Sequence, residues 1–525
     1  MKQANVQVAA PGFLGLNSED SPIQMPEGFA SIADNAIIDN AGRISSRKGY
    51  RTLTADAAAL GTASISTIHE ARYSDGSIVR FAVGNNKIFT FNTSGVLTDI
   101  TGSLTITGDD WQIATLNDDT LFFQRGEDPL VYDKSTTTLS LVEDHADPSG
   151  LDVPSASCVT TAYGRAWAGG VEGTRSILYW SDLLIPSEWS TGSSGELNLT
   201  NLWPTGSDEI TAIAAHNQKL IIFGRESIIV FGSKAADGKL ADPANDLLLE
   251  DGIVDIGCVG KHAWKVVGSD IWFVDYSGLR SLGRTIQEKS LPIGDLSGNV
   301  ATQFRGQVRI ENSNTRLLYH PDDAFVLVLM PGQPILWCFD TRSKLEDGSA
   351  RVTTWSNLDF TCMGRAIDGT VWFGNADGIC QYRGYVDNAA LLGTGGTKFR
   401  FRYYMHPQVF GMPSNLKIPK EVRYTIAGGL GQRAVAYWGF EYKYLFKSQT
   451  FLLNSEKPDF YAMDEYNITD EDDPTEYGSG STIGDYQIPL SGSGTSLTIG
   501  VEVDVLGQQV GIQEINIQTK MGRLA

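Results

Sequence analysis

The chain has 525 residues, 42 % of them hydrophobic, and a formal net charge of −21. A surface this acidic repels phosphate and argues against ordinary nucleic-acid binding, which needs a Lys/Arg footprint. The five cysteines are odd in number and far apart, so they argue against a disulfide framework or zinc site and read as small buried hydrophobes.

Residues 1–60 read as an N-terminal extended arm with a hairpin. Pro11, Gly12, Gly15, Pro22 and Pro26 keep the opening extended. The first twenty residues hold no apolar block of signal-peptide length. A short helix is expected near 28–36. Two short apolar runs then flank Asp39-Asn40-Ala41-Gly42, which predicts a β-hairpin. Arg47, Lys48, Gly49 and Tyr50 follow it.

From 61 to 390 one pattern returns: a polar turn, an apolar aromatic-rich strand, a second turn and another strand. Asn117-Asp118-Asp119 leads into Leu121-Phe122-Phe123, and His216-Asn217-Gln218 into Leu220-Ile221-Ile222-Phe223. With Asn86, Asp118, Gly164, Asn217, Ser269, Asp323 and Gly369 as anchors, the steps are 32, 46, 53, 52, 54 and 46 residues. Propeller blades repeat at roughly 40–50 residues. The strands are apolar on nearly consecutive positions, as expected when both faces of a sheet are covered by neighbours. Ten of the eleven tryptophans lie between Trp111 and Trp372, where large rings fill the gaps between blades. The expected fold is an all-β protein built on a β-propeller of about six to eight blades, with some irregularity. A set of β-sandwiches is the competing reading.

Residues 391–525 predict a further C-terminal antiparallel β domain. Aromatic and basic residues alternate over 399–404, and period-two alternation returns over 497–505 and 512–518. Between these strands lies an exposed acidic loop at 464–477, holding Asp464, Glu465, Asp470, Glu471, Asp472, Asp473 and Glu476.

Motifs that carry chemistry are few. None of the six histidines pair at i,i+4, and there is no H-E-x-x-H, G-x-S-x-G or phosphate loop. Asp470, Asp472 and Pro474 do not fit an EF-hand. Tyr73-Ser74-Asp75-Gly76 and the Asp368-Gly369 turn come only loosely near the repeated turns of sialidase-type propellers. No catalytic residue, cofactor or metal ligand is assigned. No apolar run approaches the ~18 residues of a membrane span. The expectation is a non-enzymatic protein, made and folded in a cytoplasm.

One ordered series near the start carries more. Pro11-Gly12-Phe13-Leu14-Gly15-Leu16-Asn17 is followed by Pro22, Pro26-Glu27-Gly28, Asp34-Asn35-Ala36, Gly42-Arg43-Ile44 and Arg47-Lys48-Gly49-Tyr50. It resembles the opening of the tail nozzle (tail tubular, or stabilization) proteins of short-tailed bacteriophages. The resemblance implies a propeller core with an inserted or appended β domain. It implies a homo-hexameric ring in the virion tail, below the portal adaptor protein, that extends the DNA channel and anchors tail fibres or spikes. Genomic DNA would pass in transit without specific binding, and carboxylates facing the channel would keep the duplex sliding. Arg43, Arg47, Lys48 and Tyr50 are then candidates for docking on the adaptor or a neighbouring subunit. The acidic loop residues are candidates for a tip or channel element. Two rival functions remain open: a carbohydrate-active propeller enzyme such as a tail-associated glycosidase, and a generic propeller binding scaffold. Sugar release by a monomer would favour the first rival, and lack of virion association the second.

Overall fold

Apolar runs broken by Asn, Asp and Gly turns fold as short antiparallel strands, because each turn residue takes the left-handed conformation that tight hairpins need. Asn85, Asn86, Asn117, Tyr163 and Asn217 all have φ between 48° and 55°. A computed structural model describes residues 2–22, 25–55, 57–142, 153–235, 239–288, 295–390, 395–441, 446–453 and 483–524.

The chain is all-β, with many small sheets. Seven of them follow one another along residues 67–382. Their first strands are Thr67–Arg72, Gln112–Leu116, Cys158–Ala162, Ala212–His216, Trp264–Val267, Arg316–His320 and Cys362–Arg365. Within residues 67–382 each sheet is a meander in which neighbours in sequence are neighbours in space. Apolar clusters fill the gaps between consecutive sheets, and one of them runs continuously through the fourth, fifth and sixth. Phe81 and Trp111 join the first and second sheets, Val131 and Ala168 the second and third, and Trp167 and Ile222 the third and fourth. Phe223 and Phe273 meet at 5.2 Å between the fourth and fifth. The last cluster joins Trp372 of the seventh sheet to Phe89 of the first. First strands of the seventh and first sheets also touch, so the sheets close into a propeller-like ring.

The seventh sheet completes itself with a strand from far upstream. Tyr50–Ala55 pairs antiparallel with Gly378–Tyr382. Leu53 is 5 % exposed in the cluster that seals this joint. Among the described residues the fifth sheet has three strands. Helix Ala301–Glu311 packs there instead, burying Phe304 and Val308 one turn apart.

Both chain ends build one further unit. Lys2–Ala9 pairs along its length with Val510–Leu524, and the hairpin Ala36–Ile38/Ile44–Ser46 joins the same sheet. A second sheet, with Phe29–Asp34, Phe399–Met405, Arg433–Phe440 and Leu497–Val505, packs against it. Val6, Phe13, Ile44, Tyr403, Tyr424 and Ile515 are among the residues between them. The ring is thus inserted within a sandwich made by both termini. The segment expected as an arm is extended, but it is paired in a sheet rather than projecting.

Two further expectations need correction. Residues 29–34 form a strand, not a helix; Asp34 and Ala33 pair with Arg402 and Tyr403, and this tertiary pairing overrides a weak local preference. The uneven first repeat step arose because Asn86 lies in the second turn of the first sheet. Gly76 lies in its first turn, between strands ending at Arg72 and starting at Ile78, and is 42 residues before Asp118.

Sandwich and ring share one continuous sheet. Ala350–Ser356, the outer strand of the sixth sheet, pairs parallel with Gly15–Leu16 and meets Phe29–Asp34 at Thr354. Gly15 has φ +83°, and a Cβ there would lie 2.8 Å from the Val352 nitrogen. Only glycine allows this approach.

Candidate functional site

The residues of the N-terminal series converge where the sandwich meets the ring. Asp39 closes its hairpin by accepting from the backbone N–H of Ala41 and Arg43, at 2.9 and 3.0 Å, and from Arg43 Nε at 2.8 Å. Arg43 is thereby paired within its own turn, with its side chain 19 % exposed. Asn35, at φ 52°, accepts from Arg47 Nε at 2.8 Å and donates to the Arg400 carbonyl at 2.9 Å. The rest of the Arg47 guanidinium grips Asp387 and lies 4.2 Å over the Phe399 ring.

Arg47 and Tyr50 are therefore engaged within the chain itself. Tyr50 packs edge-on against Phe360 at 5.0 Å, and burial, then Asp387, push its phenol above the usual range. Lys48 is the most open of the four candidates. Its side chain is 38 % exposed, its ammonium lies 3.5 Å from Asp323, and its backbone N–H donates to Tyr382. Asp464, Glu465, Asp470, Glu471, Asp472, Asp473 and Glu476 lie outside the described residues.

A second constellation, not anticipated from sequence, lies at the ring axis. The seven first strands carry Arg72, Lys265, Arg316 and Arg365 but a single carboxylate, Glu70. Glu70 is already engaged by Arg80 at 2.7 Å and by the Ile367 N–H at 2.7 Å. This is a basic axis in an acidic chain. His69, His216 and His320 lie on the same strands, and His262 lies two residues before another.

One end of the axis is spanned by a clamp. Asp110, just ahead of the second sheet, takes Lys261 Nζ at 3.0 Å and His262 Nε2 at 3.5 Å from the run just ahead of the fifth sheet, and Arg316 at 3.8 Å from the sixth. Lys261 also donates to the Asp110 backbone carbonyl, and Gln112 Nε2 to the Lys261 carbonyl at 3.5 Å. Burial pushes the Asp110 carboxyl up, but the His262 hydrogen bond and the Lys261 and Arg316 charges outweigh it and hold it well below the usual range. Burial, then Arg316, draws His262 down to about 3, so it is neutral at pH 7.

Farther along, Lys265 and Arg365 are exposed to solvent. Lys265 is nonetheless crowded by protein. Loss of bulk hydration, then the Arg365 charge, lowers its ammonium pKa. The same burial, with Lys265 as the next cause, draws His69 down to about 4. Among the described residues no group of three or more His, Cys, Asp or Glu is placed to hold a metal.

No protein-family model matches the chain, and no curated protein matches it in sequence. Three solved structures show the level of similarity found. PorZ, a surface component of the type-IX secretion system of Porphyromonas gingivalis, is 13 % identical with a TM-score of 0.35. It aligns over 61 % of this chain and 37 % of its own length, so the chain spans little more than a third of it. YCF48 bound to a D1 peptide is 11 % identical, with a TM-score of 0.38 over 69 % of this chain and 99 % of its own. A mitotic checkpoint complex chain is 8 % identical, with a TM-score of 0.36 over 70 % and 97 %.

Proposed function

We propose that this chain is a tail nozzle subunit of a short-tailed bacteriophage. Six copies form a ring that prolongs the DNA-ejection channel below the portal adaptor and carries fibres or spikes. The protein is structural, assembles in the host cytoplasm and resides in the virion tail. Its seven consecutive sheets are seven propeller blades, the last closed by Tyr50–Ala55.

The observation that carries this reading is the position of the resemblance. Gly15, Asp34, Asn35, Arg47 and Tyr50 are residues that join the inserted ring to the sandwich. A series of turn residues shared by chance would be scattered over unrelated loops. The acidity acquires a role as well. The first strands draw on basic residues, so the excess of 62 acidic over 41 basic residues is carried elsewhere. Carboxylates on the wall of an assembled channel repel DNA phosphates, whereas a basic wall gains counterion-release affinity at every contact and slows the duplex.

The test is the mass and shape of the purified chain, alone and with a portal adaptor, by mass photometry and negative-stain imaging. Six-chain rings that bind the adaptor support the reading. A monomer at every concentration, failing to join the adaptor, overturns it, and reducing-sugar release from host polysaccharide would point to the glycosidase instead. Deleting residues 1–50 cannot test docking, because Val6, Val8, Phe13, Ile38 and Ile44 are core. Charge reversal at Lys48 can: Lys48→Glu leaves that core untouched and is expected to weaken adaptor binding about tenfold or more.

A further inference from the structure

We propose that the axis of the ring is a binding site for a small, multiply charged oxyanion of the phosphate or sulfate class, held by Lys265 and Arg365. The site is internal to one subunit and independent of any channel formed between subunits.

Three observations support it. The first is charge. The seven first strands carry four Lys or Arg residues against one carboxylate, Glu70, which Arg80 already occupies. The clamp adds Lys261 and Asp110, which offset each other. Among the described residues, neither Lys265 nor Arg365 forms an ion pair with a carboxylate. Like charges held close together are unfavourable unless an anion joins them.

The second is an unspent donor. Arg316 is 8 % exposed and reaches across the axis toward Asp110, yet its Nε has no hydrogen-bond partner. Buried guanidinium N–H groups ordinarily find acceptors. An oxyanion at the axis supplies them, and a guanidinium fork suits its geometry.

The third is access. The Asp110 clamp spans the leading end of the axis, while Lys265 and Arg365 are open to solvent farther along. A small anion reaches these two cations from the open side, without passing the clamp, and meets the Arg316 guanidinium on its inner face. His69 lies close enough to Lys265 to feel its charge and stands on the wall of the same space.

The experiment uses the full chain and inorganic phosphate. Calorimetric titration and thermal unfolding are run at fixed ionic strength, with chloride replacing phosphate as the reference. Phosphate is expected to bind at one site per chain and to raise the unfolding temperature saturably. Lys265→Met and Arg365→Gln are each expected to weaken that binding at least tenfold. Both side chains are exposed, so these substitutions leave the core intact. Lys234→Met, just past the third strand of the fourth sheet and away from the axis, is expected to keep the wild-type affinity. No phosphate response beyond chloride, or equal affinity in the wild type and both axial variants, overturns the proposal. Six-fold assembly is read separately by mass, so failure of this site leaves the nozzle reading standing, and the converse holds.

Discussion

Arg47 and Asp387 face each other in a two-pronged ion pair, with both N–O distances 2.7 Å, although 340 residues separate them. Arg47 stands where the chain leaves the sandwich for the ring, and Asp387 where it returns. Their side chains are 2 % and 10 % exposed. Removing one partner from such a pair leaves a desolvated charge alone, at a cost of ~3–5 kcal/mol. Arg47→Met is therefore expected to lower stability by about that much in urea unfolding. Asp387→Asn is expected to cost a similar amount. The double substitution is expected to cost less than the two singles together, because the uncompensated charge disappears. A loss below ~1 kcal/mol for Arg47→Met, the range of a solvated surface pair, would sink this account.

Gly49 lies two residues beyond Arg47 and permits the closest backbone approach of the seam. Its N–H donates to the Gly384 carbonyl at 2.8 Å, and its carbonyl accepts from Arg383 at 3.1 Å. A Cβ at this position would be driven into the Val386 carbonyl. Backbone cannot rotate aside as a flexible side chain can, so Gly49→Ala must displace the start of the ring-closing strand. The expected cost exceeds ~3 kcal/mol, beyond the usual range for an added methyl in a packed site. Thermal unfolding of the variant checks it, with Gly76→Ala as a comparison. Gly76 has φ +81° but nothing within 4 Å of its Cβ. It is expected to lose only the ~1–2 kcal/mol of left-handed strain.

The strands of the ring were legible because each is a short apolar run between turn residues, a signal held within a dozen residues. The repeat spacing was legible for the same reason, once Gly76 replaces Asn86 as its first mark. The insertion was not legible. Val6 pairs with Ile517 and Tyr50 with Tyr382, and nothing local in residues 2–9 or 50–55 names those partners. Helix Ala301–Glu311 left a clear trace, with Phe304 and Val308 four residues apart and both buried, but it sits within a run of strand-like repeats. The docking candidates were found by type and not by burial, so Arg47 and Tyr50 proved internal while Lys48 stayed open. The axial cations were overlooked because no single strand shows them. Only comparison of the first strands of all seven sheets reveals that acidic residues are nearly excluded there.

The cysteines offer a direct check of the packing. All five are free and buried, and burial pushes the Cys158 thiol up to about 11 and those of Cys258, Cys362 and Cys380 up to about 12. A thiol reacts as its thiolate, and a buried one must also be reached. The native chain is expected to give no thiol equivalent with a disulfide reagent at neutral pH over minutes, and five after unfolding in urea. Rapid native reaction of Cys158, which lies on the first strand of the third sheet, would mean that the gaps between sheets open to solvent.

His69 predicts a pH dependence whose sign follows from its surroundings. Burial, then Lys265, lowers its pKa from an ordinary 6.5 to about 4. Between those values the unfolded chain binds more protons at this position than the folded one. Stability from this group is thus complete above the unfolded pKa and is lost as pH falls toward the folded one. A tenfold difference in proton affinity between the folded and unfolded chain corresponds to ~1.4 kcal/mol. His262, drawn down to about 3, contributes a slope of the same sign that a change at residue 69 leaves in place. The informative quantity is therefore the difference between variants. His69→Gln keeps a hydrogen-bonding group near Thr115, which His69 Nε2 meets at 3.1 Å, but cannot take a proton. It is expected to lose less stability than the wild type between about pH 7 and pH 5 in urea unfolding. Lys265→Met removes the neighbouring charge and is expected to raise the His69 pKa, read from its imidazole resonances by NMR. An unchanged His69 pKa in that variant would mean that Lys265 does not face it across the axis.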